Sequence, residues 1–440
     1  MLQDKAKNLH QVSRSPITNL YTFLTITIIF TLILKSCMVE SDSDKTVENE
    51  FFIDQETARI VAENLLFSEP SDVGSQQREL HVSDYRVSKI VESIEPLADN
   101  EGDNVMYIIN YEESGFVILS ADRRMEPILA HSTENHFNTK QALYNPGLVS
   151  WIDEFSTIIR KLRLSDQSLD RYLDSVWNSY IDSELDIMAL GDEVLCNSTS
   201  YTVTIGPLLD TLWGQGCGYN EQVPHSCGGE CGKAPTGCVA TAMAQILKYH
   251  ADRNWHGSYV NDDNAIVLAR DWSGMPYTNV RLYPGTDVPT LMYDLGQYLG
   301  MNYSCDDGSS SNISSAHTAF IENFGFQTAL RHDLDNISDY EMIIDEIDSS
   351  RPVYLRGNNT KDDEESFSWL FPTYGTGHAW VADGYSYRVN CDTGNTISNS
   401  YRIHMNWGWD GNSNGEFLKK SGDYPNHREM IYNLVPPPSN

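Results

Sequence analysis

The sequence predicts an α+β chain of two domains behind an N-terminal export segment. Three observations predict it. Leu20–Leu34 is a short apolar run near the start. Two long stretches of mixed helical and alternating periodicity follow, separated by a polar segment at 182–204. Within the second stretch, Ala234–His250 reads as a turn followed by a helix that is apolar on most sides, as expected of a helix buried at the centre of a domain.

Residues 1–19 are polar and carry Lys5, Lys7 and Arg14. The apolar run after them is shorter than the roughly 20 residues a membrane span needs, and has the size of a signal h-region. Leu34-Lys-Ser-Cys37 resembles a bacterial lipobox, with Cys37 as the lipidated residue and Lys35 departing from the usual small or apolar residue. We therefore expect a signal peptide of lipoprotein type at 1–37 and a spacer at 38–50. A cleaved, non-lipidated signal and a single-span anchor are the alternatives. The chain carries 30 basic and 62 acidic residues, a net charge of −32. That argues against nucleic acid or an anionic membrane surface as partner. About 400 residues beyond the signal are enough for two or three domains.

Residues 51–181 form the first expected domain, a small α+β unit. Ala58, Val61, Ala62, Leu65 and Leu66 repeat as on an amphipathic helix from about Asp54. Asn104–Tyr111 and Gly115–Ala121 are apolar strands around Glu-Glu-Ser-Gly, a hairpin. Leu148, Trp151, Ile152, Phe155, Ile159 and Leu162 return to helical spacing. No clustered His, Cys or paired carboxylates stand at motif spacing here, which suits a structural or inhibitory module. The segment 182–204 reads as an exposed linker where proteolytic nicking concentrates. The second domain, 205–440, carries expected helices at Val288–Leu299, Ser315–Asn323 and Ser338–Ile347. Its expected strands are Val353–Arg356, Ala379–Tyr387 and Tyr401–Trp407.

The central helix starts at Cys238, after Pro-Thr-Gly. Unpaired N–H groups and the positive dipole end at a helix start stabilise a thiolate, the nucleophilic form of cysteine. A cysteine nucleophile needs a base, a group to orient the base, and oxyanion donors. His378 stands at the mouth of an apolar strand. In Tyr401–Trp407, Arg402, His404 and Asn406 share one face and Ile403, Met405 and Trp407 the other. The two strands flank a turn-like segment, Cys391–Asn395, and His378 and Asn406 lie nearly equidistant from its centre. That spacing puts Asn406 opposite or diagonal to His378, able to hold one imidazole nitrogen, with Trp407 covering the contact from water. His404 is the rival base and ranks lower, being inside its strand. His250 sits at the far end of the helix and is excluded. Gln215, about twenty residues before the nucleophile, can donate its amide to the oxyanion beside the Cys238 N–H.

These residues resemble a known family. Pro235–His250 looks like the nucleophile helix of the streptopain family of bacterial cysteine peptidases, Gly377–Gly384 like its histidine strand, and His404–Gly411 like its Asn-Trp-Gly-Trp segment. Trp213-Gly-Gln215 with Tyr219-Asn220 resembles its oxyanion approach, and Gly115–His131 its inhibitory pro-segment. The resemblance implies a papain-like fold, a helical part with the central nucleophile helix plus an antiparallel sheet part, preceded by a small α+β pro-domain. It implies a secreted endopeptidase made as a zymogen. Cys238 would then be nucleophile, His378 base and acid, Gln215 oxyanion donor, and Asn406 and Trp407 the residues that orient and shield His378. Protein or peptide substrates and the chain's own pro-domain are the expected partners. No cofactor or metal is expected. The expected location is exported: the cell envelope, as an outer-membrane lipoprotein, or secreted after processing, with a lipid on Cys37 the one link to a membrane.

The chain inserts Cys217, Cys227 and Cys231 between Gln215 and Cys238. With Cys196, Cys305 and Cys391 they make an even set apart from Cys37 and Cys238, and outside the cytosol disulfides are expected. A pair of Cys217 with Cys227 or Cys231 would brace the loop carrying Gln215. A zinc site from the three inserted cysteines is the rival, lacking a fourth ligand. Two other functions compete with peptide hydrolysis: a catalytically inactive surface-binding relative, and an acyl transferase using the same thioester chemistry.

Overall fold

The computed structural model describes residues 50–68, 86–141, 143–182, 200–228, 230–253, 259–260, 266–267, 271–334, 338–358, 370–371, 373, 377–390, 393–397, 400–419 and 428–437. The expected signal at 1–37, Cys37, Cys196, Cys391 and residues 183–199 of the expected linker lie outside them. Helix α1 (Gln55–Glu63) begins where Asp54 accepts the Thr57 N–H at 2.7 Å, an N-cap that also holds the carboxyl below its usual range. A two-stranded ribbon follows, β1 (Leu66–Ser68) with β2 (Arg86–Ser88). Then comes an antiparallel run of β3 (Val91–Ala98), β4 (Asn104–Tyr111), β5 (Phe116–Ser120) and β6 (Ile128–Ser132). Strand β4 is apolar without alternation because both its faces are covered. Tyr107, Ile109 and Tyr111 pack with Ala58 and Val61 of α1, while Met106 and Ile108 join the larger core.

Helix α2 (Pro146–Arg163) has Pro at its first position and an Asn145 cap, whose Oδ1 accepts the N–H groups of Gly147 (2.8 Å) and Leu148 (3.2 Å). Helix α3 (Arg171–Ile181) was not separately expected from the apolar spacing. It is capped by Asp170 and anchored by Trp177, which donates to the Met125 carbonyl at 2.9 Å.

The second half opens with β7 (Ser200–Ile205) and reaches α4 (Cys238–Asp252). A short pair follows, β8 (Tyr259–Val260) with β9 (Ile266–Val267). Next are α5 (Val288–Tyr298) and α6 (Ile313–Thr318), the latter continued by a π turn over Ala319–Asn323. Helix α6 starts earlier than its apolar spacing suggests because Asn312 caps it, accepting the Ser315 N–H at 2.9 Å. After β10 (Thr328–Asp333) come α7 (Asp339–Asp348), β11 (Val353–Asn358) and β12 (Gly377–Asn390). The last strands are β13 (Arg402–Asn406), β14 (Gly415–Leu418) and β15 (Glu429–Val435).

The strands make one antiparallel sheet in the order β10-β15-β11-β12-β13-β14-β6-β5-β4-β3, with β7 paired to the far end of β12. The seam between the two halves is the pairing of β14 with β6, Glu416 to His131 and Phe417 to Ala130. Gly415 makes that seam feasible: a Cβ there would lie 2.4 Å from the His131 carbonyl oxygen. Helix α4 packs between this sheet, chiefly β12, and α5. Its residues from Val239 to His250 are all buried, as an all-round apolar helix requires. Helix α2 lies on the opposite face, where Gly147 abuts Trp380 and Trp407.

Candidate active site

Cys238 is the first residue of α4, and Gly237 before it has φ +92°. A Cβ on Gly237 would lie 2.7 Å from the Met301 sulfur, so glycine is what lets the chain enter the helix at this point. Cys238 is the one free cysteine among the described residues. Burial pushes its thiol up. The N–H groups of Ala379, Val239 and Cys238 itself, and then the Arg356 guanidinium, pull it down. Cys238 therefore lies against the residue that follows His378 on β12.

His378 is buried, and its Nε2 lies 2.7 Å from Asn145 Nδ2 and 2.9 Å from the Trp407 carbonyl oxygen. Asn145 Nδ2 also donates to that carbonyl at 3.2 Å. Nε2 accepts from the amide in one tautomer and donates to the carbonyl in the other; either way it is committed. Burial lowers the imidazole to about 4, against the raising effect of the Trp407 carbonyl, so at neutral pH the ring is uncharged. Among the described residues no hydrogen bond joins His378 to Cys238. Trp380 stacks parallel to the imidazole at 6.1 Å between centroids, and Trp409 stands edge-on at 6.5 Å.

The register expected for the His378 and Asn406 strands needs correcting. Asn406 pairs with Val381, not with a neighbour of His378, and the ladder shifts at a bulge between Ala382 and Gly384. Residues an odd number of positions apart on a strand point to opposite faces. His378 and Val381 therefore face opposite ways, and Asn406 lies on the α4 side. There its Oδ1 accepts from Gln245 Nε2 (3.1 Å) and the Gly408 N–H (3.2 Å), and its Nδ2 donates to the Thr211 carbonyl (2.8 Å). Asn406 does not touch the imidazole. Trp407 does, through its carbonyl, and its ring is held by an Nε1 bond to the Ser413 carbonyl at 3.0 Å.

Gln215 presents its carbonyl to the Thr236 N–H at 3.0 Å, and among the described residues its side chain has no hydrogen-bond partner. The loop on which it sits is pinned by buried Trp213, whose Nε1 donates to the Pro276 carbonyl at 2.8 Å. It is also pinned by the Cys217–Cys231 disulfide, one of the pairings the insert allowed. A second bond joins Cys227 to Cys305. Both use cysteines of the alternative zinc set. His404 is engaged elsewhere. Burial would lower it, but the Asp383 carboxylate 2.6 Å from Nδ1 and then Glu416 raise it to about 9. Two residues escaped the sequence reading. Asn145 follows no motif, and its only local signal is the Asn-Pro start of a helix. Gln245 was hidden among the apolar residues of α4.

Comparison with known proteins agrees with this architecture. Residues 213–417 match the Peptidase C10 family, and residues 50–159 match the Spi protease inhibitor family. Streptopain of Streptococcus pyogenes is 27% identical over 348 residues, covering 71% of this chain and 73% of its own. The thiol protease/hemagglutinin PrtT of Porphyromonas gingivalis is 24% identical over 363 residues, 74% of this chain but 36% of PrtT. The prointerpain A fragment 39–359 of Prevotella intermedia superposes with a TM-score of 0.52 at 20% identity, covering 79% of this chain and 99% of the fragment. That likeness is one of fold: a papain-like domain with its pro-segment.

Proposed function

We propose, for a chain that belongs to the streptopain-like cysteine peptidases and carries their pro-segment, that it is an exported endopeptidase held latent until residues 51–181 leave. The observation that carries this reading is the place of Asn145. A side chain from the inhibitor-type segment sits on the one imidazole the chemistry requires. With that segment gone, His378 is free to turn toward Cys238. The pair then works as thiolate and imidazolium. Sulfur attacks the scissile carbonyl, and the oxyanion takes hydrogen bonds from the Cys238 N–H and the Gln215 amide. His378 gives its proton to the departing amine, leaving an acyl-enzyme. It next takes a proton from water, whose oxygen attacks the thioester and releases the new carboxylate. Trp407 keeps water from the imidazole, and Asn406 acts at one remove, through its bonds to the Thr211 and Gln245 segments.

Export is supported by two disulfides in the described residues, which suit an oxidising compartment, and by the leader expected at 1–37. A lipid on Cys37 would stay with the pro-segment when the chain is cut between 182 and 204. Release of peptides from a denatured protein is the test. Cys238→Ala and His378→Ala should each abolish it in folded protein. Retained cleavage in either variant would reassign the site. Binding without cleavage by wild type would make the chain a non-catalytic relative, and transfer to an added amine without hydrolysis would make it an acyl transferase.

A further inference from the structure

The geometry points to Gln245 as a positioning residue for the peptidase reaction, one that sets the oxyanion loop against the nucleophile helix. Gln245 is fully buried on α4, seven residues after Cys238 and therefore two turns along the same face. Its Oε1 accepts the Trp213 N–H at 3.1 Å, and its Nε2 donates to Asn406 Oδ1 at 3.1 Å. Asn406 in turn donates to the Thr211 carbonyl at 2.8 Å. One amide thus joins three segments: the helix bearing Cys238, the 211–215 loop bearing Gln215, and the end of β13 whose next residue meets His378.

Several features point to fixed spacing as the purpose of this cluster. Thr241 Oγ1, one turn nearer Cys238, lies 3.3 Å from the Gly214 carbonyl oxygen and 3.2 Å from that of Gly237, so its one proton serves both the loop next to Trp213 and the helix's own first turn. Thr236, two residues before the nucleophile, donates its N–H to the Gln215 carbonyl at 3.0 Å. Gly408, at φ +69°, lets the Asn406–Gly408 corner come down on the helix; a Cβ there would lie 3.1 Å from Thr241 Cγ2 and 3.9 Å from Gln245 Nε2. None of these bonds includes His378 or the pro-segment, so they persist when the pro-segment departs. Among the described residues the Gln215 side chain has no hydrogen-bond partner, and its placement depends on the loop behind it. A displacement of about 1 Å at an oxyanion donor costs on the order of a hundredfold in rate.

This inference rests on Gln215 being the oxyanion donor, and the experiment separates the two ideas. The full chain carrying Gln245→Leu, Gln215→Ala or both is converted to its mature form with added wild-type enzyme, which is then removed. kcat and KM are measured on labelled denatured casein, together with melting temperature and the iodoacetamide alkylation rate of Cys238. Gln245→Leu should lower kcat by about tenfold to a hundredfold with KM and alkylation rate little changed. In the Gln215→Ala background the same change should cost less than about threefold, because the donor it positions is already gone. Equal losses in both backgrounds would show a merely structural amide and overturn the inference while leaving Gln215 in place. An unaltered kcat in Gln215→Ala alone would remove the reading beneath it. Should Gln245→Leu not fold, Gln245→Met, which keeps the side-chain length, gives the same comparison.

Discussion

The Asn145 side chain divides its two ends between two tasks. Its oxygen caps α2, and its nitrogen occupies His378 Nε2 and the Trp407 carbonyl. Serine also caps helices well but has no amide to reach the imidazole. Asn145→Ser should therefore leave stability within about 1 kcal/mol of wild type while shortening the lag before self-processing. Band intensities over time, with melting curves alongside, measure both; an unchanged lag would remove Asn145 from the latency mechanism. At this scale the sequence was legible where chemistry is local. Cys238 announces itself through its helix start and the Pro-Thr-Gly before it. Asn145 does not, because its target lies 233 residues away and only tertiary packing brings the two together. Asn406 was misplaced for a related reason: a bulge at Asp383 shifts the ladder, and such shifts leave little trace in a strand already buried on both faces.

Helices and strands were the most legible elements, since apolar periodicity records which faces are covered. The β4–β5 hairpin and α2, α4, α5 and α7 fall close to their expected spans. Strands β14 and β6, which join the halves, are four and five residues long and too short to carry a period. The cysteine insert behaves as an element in its own right. Cys217–Cys231 closes a separation of 14 residues and Cys227–Cys305 one of 78. If chain entropy dominates, their loss costs about 3 and about 4.5 kcal/mol respectively. The double variant Cys227→Ser/Cys305→Ser should thus be the less stable in denaturant titrations, while Cys217→Ser/Cys231→Ser, nearer Gln215, should lose more turnover. The reverse order of turnover losses would dissociate the Cys217–Cys231 bond from the placing of Gln215.

For the whole molecule, the sheet runs without a break from the pro-segment into the catalytic half, so cutting the chain is not the same as parting it. Beyond the β6–β14 pairing and the Asn145 bonds to His378 and Trp407, buried contacts that hold the halves together include two ion pairs and a Trp hydrogen bond. Arg388 of β12 bonds Glu126, Arg428 meets Glu154 of α2 at 3.1 Å, and Trp151 donates to the Leu418 carbonyl at 3.2 Å. Removing one partner of such a buried pair typically costs about 3 to 5 kcal/mol, since the other charge is left stranded. A Cys238→Ala chain cut between 182 and 204 by wild-type enzyme should therefore elute from gel filtration at pH 7 as one body containing both fragments. Acid should part them, and the sign follows from the groups at the seam. Burial holds His378 at about 4, and burial followed by Arg402 and His404 holds His131 at about 3. Separation takes the opposite half away from both rings and moves each toward the 6.5 or so at which imidazole titrates in water. From about pH 6.5 downward the separated fragments bind two protons that the docked form cannot, which favours release. Glu416 opposes this. Burial raises it to about 7, against His404, Ser386 and Arg402, so the docked form gains one proton between about 7 and 4.5. His404, paired with Asp383, is charged throughout this range. The balance is one proton for release between about pH 6.5 and 4.5, two between about 4.5 and 4, and one between about 4 and 3 once the docked His378 takes its own proton, at about 1.4 kcal/mol per proton per pH unit. The cut chain should thus hold at pH 7, loosen gradually below 6.5 and separate near pH 4, and Glu126→Ala should shift separation toward neutral pH. Two separate peaks at pH 7 immediately after cutting would show that the strand seam does not hold the halves, and that cutting alone is the activating event.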